Sequence, residues 1–129
     1  MTTDLWMLVY TGLLSTFFFF TYGTGRILAP GGINWLFGNR DTPLATPEWT
    51  ARAQRAHQNL VENLAPFAIL VLVAHVTGKA NSTTALGATL FFWGRVAHAG
   101  TYIAGIIYAR TVAFFVGTIG ELMILSQLF

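Results

Sequence analysis

Strongly polar side chains are scarce in this chain, and five of them fall together: Arg52, Arg55, Asn59, Glu62 and Asn63. At about 100° per residue along a helix they share an arc of about 100°, one face. Two guanidiniums against one carboxylate leave positive charge over. Guanidinium forks grip carboxylates through paired hydrogen bonds, and Glu62 suits an ammonium group. A ligand with both an amine and carboxylates would match, an amino acid or a peptide. The competing reading is an internal salt-bridge network in which Arg55 and Glu62 hold a bundle together. Arg95, His98 and Tyr102 form a second set at i, i+3 and i+7, again one helix face. Ionisable groups in a membrane face a cavity or one another, which makes these site candidates too, although His98 fits a packing role equally well. His57 and His75 read as interfacial residues, and Glu121 as a partner for Arg95 rather than a catalytic acid. The three histidines lack a metal-ligand spacing, and the absence of cysteine excludes thiolate sites and disulfides.

These groups need elements to hold them, and composition says where those elements lie. Of 129 residues, 54% are hydrophobic and 9% charged, against about 25% charged in a soluble domain. That balance excludes an ordinary soluble enzyme and a disordered chain. It points to an all-α integral membrane protein forming a single domain of four transmembrane helices. A net charge of +2 without a basic cluster gives no reason to expect nucleic acid. The expected spans are about 5–22, 48–77, 82–108 and 111–129. Gly23 to Pro47, rich in Gly, Pro, Asn and Asp, reads as a loop or re-entrant segment. Thr46-Pro47-Glu48 is a helix start: a capping hydroxyl, a first-turn proline and a first-turn acid. Small residues at Ala97, Thr101 and Gly105, and at Gly117 and Gly120, suggest ridges for close helix packing. Arg26, Arg40 and Arg110 lie in two loops, with Arg52 and Arg55 near the first, whereas the opposite side holds only Lys79. The positive-inside bias then places both arginine-bearing loops in the cytoplasm and both termini outward. A bacterial inner membrane suits so compact a chain.

The run Arg55-Ala-His-Gln-Asn59-Leu-Val-Glu62-Asn63, followed by Pro66-Phe67, resembles the second-helix signature of the MAPEG family, membrane-associated proteins in eicosanoid and glutathione metabolism. Gly94-Arg95-Val-Ala-His98-Ala-Gly-Thr-Tyr102 is similar to the third-helix motif of its prostaglandin synthase branch. Tyr108-Ala-Arg110-Thr is similar to the start of the fourth helix, where the family keeps its catalytic arginine. Two departures stand out: Ala51 where the family often has an acid, and Asn63 where some members have Tyr. Asn63 matches the microsomal glutathione transferase branch. The resemblance implies a homotrimer of four-helix subunits in the bilayer, binding glutathione between neighbours near the cytoplasmic face. It implies that Arg55, Asn59 and Glu62 hold the tripeptide, with Tyr102 and Tyr108 lining the pocket and Arg26 reaching in from a neighbour. Arg110 would face the sulfur and activate glutathione, the co-substrate, toward a lipophilic electrophile or a peroxide. A non-catalytic lipid- or ligand-binding member of the family is the alternative. A small transporter is a third reading, but no pair of broken helices appears.

Overall fold

Long apolar runs without helix breakers set the architecture. In the computed structural model, which describes residues 1–129, the chain forms five helices: α1 (Thr3–Ile27), α2 (Gly32–Phe37), α3 (Glu48–Val76), α4 (Ser82–Ala104) and α5 (Ile107–Ser126). α1, α3 and α5 are each long and apolar enough to cross a membrane. α4 has the length, but Thr, Gly, Arg95 and His98 dilute its apolar character. Its position explains this composition. It packs against α1, α3 and α5, most extensively against α5, and Arg95 and His98 are buried, so protein rather than lipid surrounds these polar groups.

The boundaries differ from the sequence expectation at three places. α1 continues past Tyr22 through Gly23 and Gly25 to Ile27, so Arg26 is helical rather than in a loop. Packing overrides glycine's poor helix propensity here. A Cβ at Gly25 would approach the Trp49 ring to 2.8 Å, so the glycine lets α3 lie close against α1. Within the loop the short α2 forms, entered through Gly31 at φ +73°. At the other end, α4 stops at Ala104 rather than near Tyr108. Gly105 turns left-handed at φ +79°, and its N–H donates to the Tyr102 carbonyl at 3.1 Å. The N–H of Ile106 donates to Thr101 at 2.9 Å, closing a glycine-capped helix end. α5 then begins at Ile107, earlier than Thr111, and Tyr108 and Arg110 fall in its first turn.

Polar ties hold the end of the bundle that carries both termini. Asn81 caps α4 by accepting from the N–H groups of Thr83 and Thr84, and the Thr84 side chain answers in a capping box. The Thr84 hydroxyl also donates to the buried Asp4 carboxylate at 3.2 Å, which fastens the start of α1. The Asn81 amide donates to Gln127 at 3.0 Å, and Lys79 donates to the Leu128 carbonyl, fastening the end of α5.

Below these ties lies the main core of Phe67, Val71, Ala74, Ala88, Phe91 and Ile124, with the Phe67 and Phe91 rings stacked at 3.8 Å. A second cluster, Phe18, Ala56, Leu60 and Ala99, joins α1, α3 and α4 nearer the other end. The close α4–α5 contact uses glycines, not the ridge expected at Ala97, Thr101 and Gly105. A Cβ on Gly87 would lie 2.6 Å from the Gly120 carbonyl, and one on Gly94 would lie 2.8 Å from the Gly117 nitrogen. Gly87 and Gly94 are two helical turns apart on one face of α4. Ala97 and Thr101 instead line an outer groove of about 480 Å³ with Trp93, Val112 and Val116.

Candidate functional site

The polar face of α3 exists because the apolar half of the helix begins late, near Leu64. The structure divides this face into two edges. The inner edge, Arg52, Asn59 and Asn63, is half-buried, while Arg55, Gln58 and Glu62 on the outer edge are exposed. Pro66 one turn later cannot donate to the Glu62 carbonyl, which frees that oxygen from the helix ladder.

Arg52 is spoken for within the chain. Its Nε donates to the Ile103 carbonyl at 2.9 Å, and its Nη1 pairs with Glu48 at 3.2 Å. It therefore closes the C-terminal end of α4, where unsatisfied carbonyls attract a cation. The sequence expectation placed Arg52 in the binding set, but the structure gives it this capping role. Asn63 is likewise occupied: its amide donates to the Asn59 carbonyl at 2.7 Å, leaving its own oxygen available. On the outer edge, Gln58 donates to Glu62 at 3.3 Å. Arg55 has no ion pair, since the Arg52–Glu48 pair is the one salt bridge of the chain, and no hydrogen bond.

α4 supplies three aligned groups facing inward. Arg95 is 1% exposed and donates from Nη1 to Asn59 Oδ1 at 3.2 Å. Its guanidinium lies between the rings of Phe91 and Phe114, 4.8 Å from each. The Glu121 partnership expected from sequence is not a salt bridge: Glu121 Oε1 and Arg95 Nε and Nη2 are buried without hydrogen-bond partners. His98 is buried against Tyr102, edge to face at 5.4 Å, and near Phe114 at 6.2 Å. Tyr102 in turn carries the Arg110 guanidinium over its ring at 4.5 Å.

Arg110 owes its place to the early start of α5. Its backbone N–H closes the first α5 bond, to Ile106 at 3.1 Å. The first turn of α5 holds no acid, and the helix N-terminus carries partial positive charge of its own. No carboxylate of the chain pairs with Arg110, so a cation and a helix end of like sign stand together without a counter-ion. Such a spot suits an anion. Tyr108 is not part of it. Two residues from Arg110 on a helix, it projects from nearly the opposite face and is 87% exposed.

Arg26 also differs from its loop expectation. At the end of α1 it donates to Gln54 on α3 at 2.7 Å and lies over Tyr22 and Trp35. Sequence reasoning missed Gln54 here. It missed Ser15 as well, whose hydroxyl sits 2.9 Å from His57 Nε2 between the rings of Phe18 and Tyr22. That contact makes His57 a packing residue between α1 and α3. A serine in an apolar run carries no partner information in one sequence. His75 is exposed in the last turn of α3.

The structure thus brings Asn59, Arg95, His98, Tyr102 and Arg110 into one connected set along α3, α4 and α5, with Arg55 and Glu62 on the flank. It leaves Tyr108 and Arg26 outside that set. Within a single chain the outer edge of α3 has no cover. The model of the MAPEG family matches residues 4–129, nearly the whole chain. No curated protein matches it.

Proposed function

Because the chain belongs to the MAPEG family, which includes glutathione transferases and related membrane proteins, we propose that it is a glutathione-dependent membrane transferase. One observation carries this reading: Arg55 and Glu62 stand exposed on one edge of α3, a helix long and apolar enough to cross a membrane, and Arg55 has no partner in the chain. An unpaired guanidinium and a carboxylate on one helix edge, next to the apolar half of α3, suit a ligand that carries both carboxylate and ammonium groups. Glutathione is a γ-glutamyl peptide with an amine, two carboxylates and a thiol. Arg55 and the Asn59 amide would take carboxylate, Glu62 the ammonium group, and the free Asn63 oxygen an amide N–H. Arg110 would face the sulfur, beside Tyr102 and above His98.

The remaining cover would come from other copies of the chain in a homotrimer of four-span, single-domain subunits, with α4 as the shielded fourth span. There Arg26 or Tyr108 of one subunit would complete the site of the next. The arginine-bearing ends of α1, α3 and α5 would face the cytoplasm, in a bacterial inner membrane. The second substrate would be a lipophilic electrophile arriving through the bilayer. The thiol proton leaves to water, the thiolate sulfur forms a bond to the electrophilic carbon, and the leaving group departs with its electron pair. With a hydroperoxide the same thiolate attacks the outer oxygen instead: an S–O bond forms, the O–O bond breaks, the alkoxide leaves and takes a proton from water, and the resulting sulfenic acid condenses with a second glutathione to the disulfide and water.

Equilibrium binding of glutathione to detergent-purified protein tests the reading, with Arg55→Gln beside the wild type. Saturable binding weakened at least about tenfold by the substitution is expected, since charge-assisted bonds contribute about 1.5–3 kcal/mol. Absence of binding removes glutathione from the account. Binding without turnover of an aryl halide would instead leave a non-catalytic binding protein.

A further inference from the structure

Asn59 stands at the edge of the proposed site, and the side chain behind it controls which way its amide faces. Arginine only donates hydrogen bonds, so the Asn59 atom 3.2 Å from Arg95 Nη1 has to be its oxygen. The planar amide then directs Nδ2, with two N–H donors, away from Arg95. Nδ2 has no acceptor in the chain. The Asn59 backbone carbonyl is taken by Asn63, which removes another local partner for a rotated amide.

Arg95 itself has little freedom. It is 1% exposed and clamped between two phenyl rings. A Cβ on Gly117 would come within 3.3 Å of its Nε, so the glycine makes the space that the guanidinium fills. One turn beyond Gly117 on the same face of α5 stands the half-buried Glu121, whose buried Oε1 has no hydrogen-bond partner and forms no salt bridge with Arg95.

We propose that Arg95 is a positioning residue that locks the Asn59 amide with its donor edge outward, so that this position of the site selects a carboxylate of the bound peptide. The proposal rests on the glutathione reading above. Without the lock the amide would turn freely and present its oxygen to the same carboxylate for part of the time.

Titration calorimetry of glutathione into the detergent-solubilised protein tests it with four variants. Asn59→Ala should weaken binding about tenfold, the loss of one hydrogen bond to a charged group. Asn59→Asp keeps the acceptor for Arg95 but turns a carboxylate outward, and should bind more weakly than Asn59→Ala. A residue that merely fills space would not give that order. Arg95→Met with Glu121→Gln removes the lock without stranding an acid, and should weaken binding by several-fold. Adding Asn59→Ala to that pair should cost nothing beyond Asn59→Ala alone. Losses that multiply, or Asn59→Asp binding as well as Asn59→Ala, would overturn the proposal while glutathione binding by the wild type keeps the site reading intact. A wild type that does not bind glutathione overturns both. If the Arg95 pair fails to fold, Arg95→Gln with Glu121→Gln replaces it: the introduced amide can meet Asn59 as donor or acceptor, so the lock is lost in a polar pair, and binding should again weaken by several-fold, whereas unchanged binding would overturn the proposal.

Discussion

Replacing Arg110 by Met should abolish thiolate formation at neutral pH while glutathione still binds. A free thiol has a pKa of about 8.5 and is mostly protonated at pH 7. Two unit charges about 4 Å apart attract by about 4 kcal/mol at an effective dielectric constant of about 20. Arg110 is half-buried, one face of its guanidinium is covered by Tyr102 at 4.5 Å, and no carboxylate in the chain competes for it. Partial exposure reduces the attraction, so about 2.7 kcal/mol is a fair expectation, equal to about two pKa units. The sign follows from charge. A neighbouring cation favours the anionic thiolate, so the bound thiol would titrate near pH 6.5, with thiolate appearing as pH rises through that value. Without Arg110 the transition should move alkaline by about two units, and thiolate at pH 7 should fall from most of the bound ligand to a few per cent. Ultraviolet absorbance of the bound thiolate, recorded against pH, reads this directly, and the pH profile of turnover should shift with it. Dissociation of total glutathione should change by less than about tenfold, because Arg55 and Asn59 still hold the carboxylates. An absorbance curve that stays in place would refute the assignment of Arg110 to the sulfur. A lysine there should restore part of the shift, as a point charge without the planar fork.

Other residues separate architecture from ligand binding. Arg52→Gln should lower the thermal midpoint, at a cost of about 1 kcal/mol for the lost hydrogen bond at the end of α4, and leave glutathione affinity within about twofold. A large affinity loss with unchanged stability would return Arg52 to the binding set. Gly120→Ala drives a methyl into the Gly87 carbonyl and to 2.8 Å from the Phe91 nitrogen, both backbone atoms. It should destabilise by about 1–3 kcal/mol in thermal unfolding, and an unchanged midpoint would show that α4 and α5 are less close than described. Phe91→Ala removes one ring of the 3.8 Å stack and one wall of the Arg95 clamp, and should destabilise by about 3–5 kcal/mol in denaturant unfolding.

Legibility from sequence followed the range of the interaction. Membrane residence was readable because hydropathy sums over many residues, and 9% charge cannot coat a soluble surface. The one-sided cluster from Arg52 to Asn63 was readable because helical periodicity is local. Helix ends were harder. α1 runs through two glycines because α3 packs on Gly25, and α5 starts early because Gly105 turns left-handed. The span expected at 82–108 is really a shorter helix sheltered by three neighbours, which is why it tolerates a hydropathy below that of the other long helices.

Periodicity groups residues by face, but it does not say what stands opposite. Sequence alone therefore determined an apolar helical chain with an excess of guanidinium groups on one helix face. Which guanidiniums are free was decided by the tertiary structure. Arg52 finds a helix end, Arg95 finds Asn59 between two rings, and Arg55 and Arg110 find no acid. The physical reason is that the partners lie far apart in sequence. Arg52 and Ile103 are separated by 51 positions, and Asn59 and Arg95 by 36. Only folding brings such pairs within reach, and a hydrogen bond requires donor and acceptor to approach to roughly 3 Å.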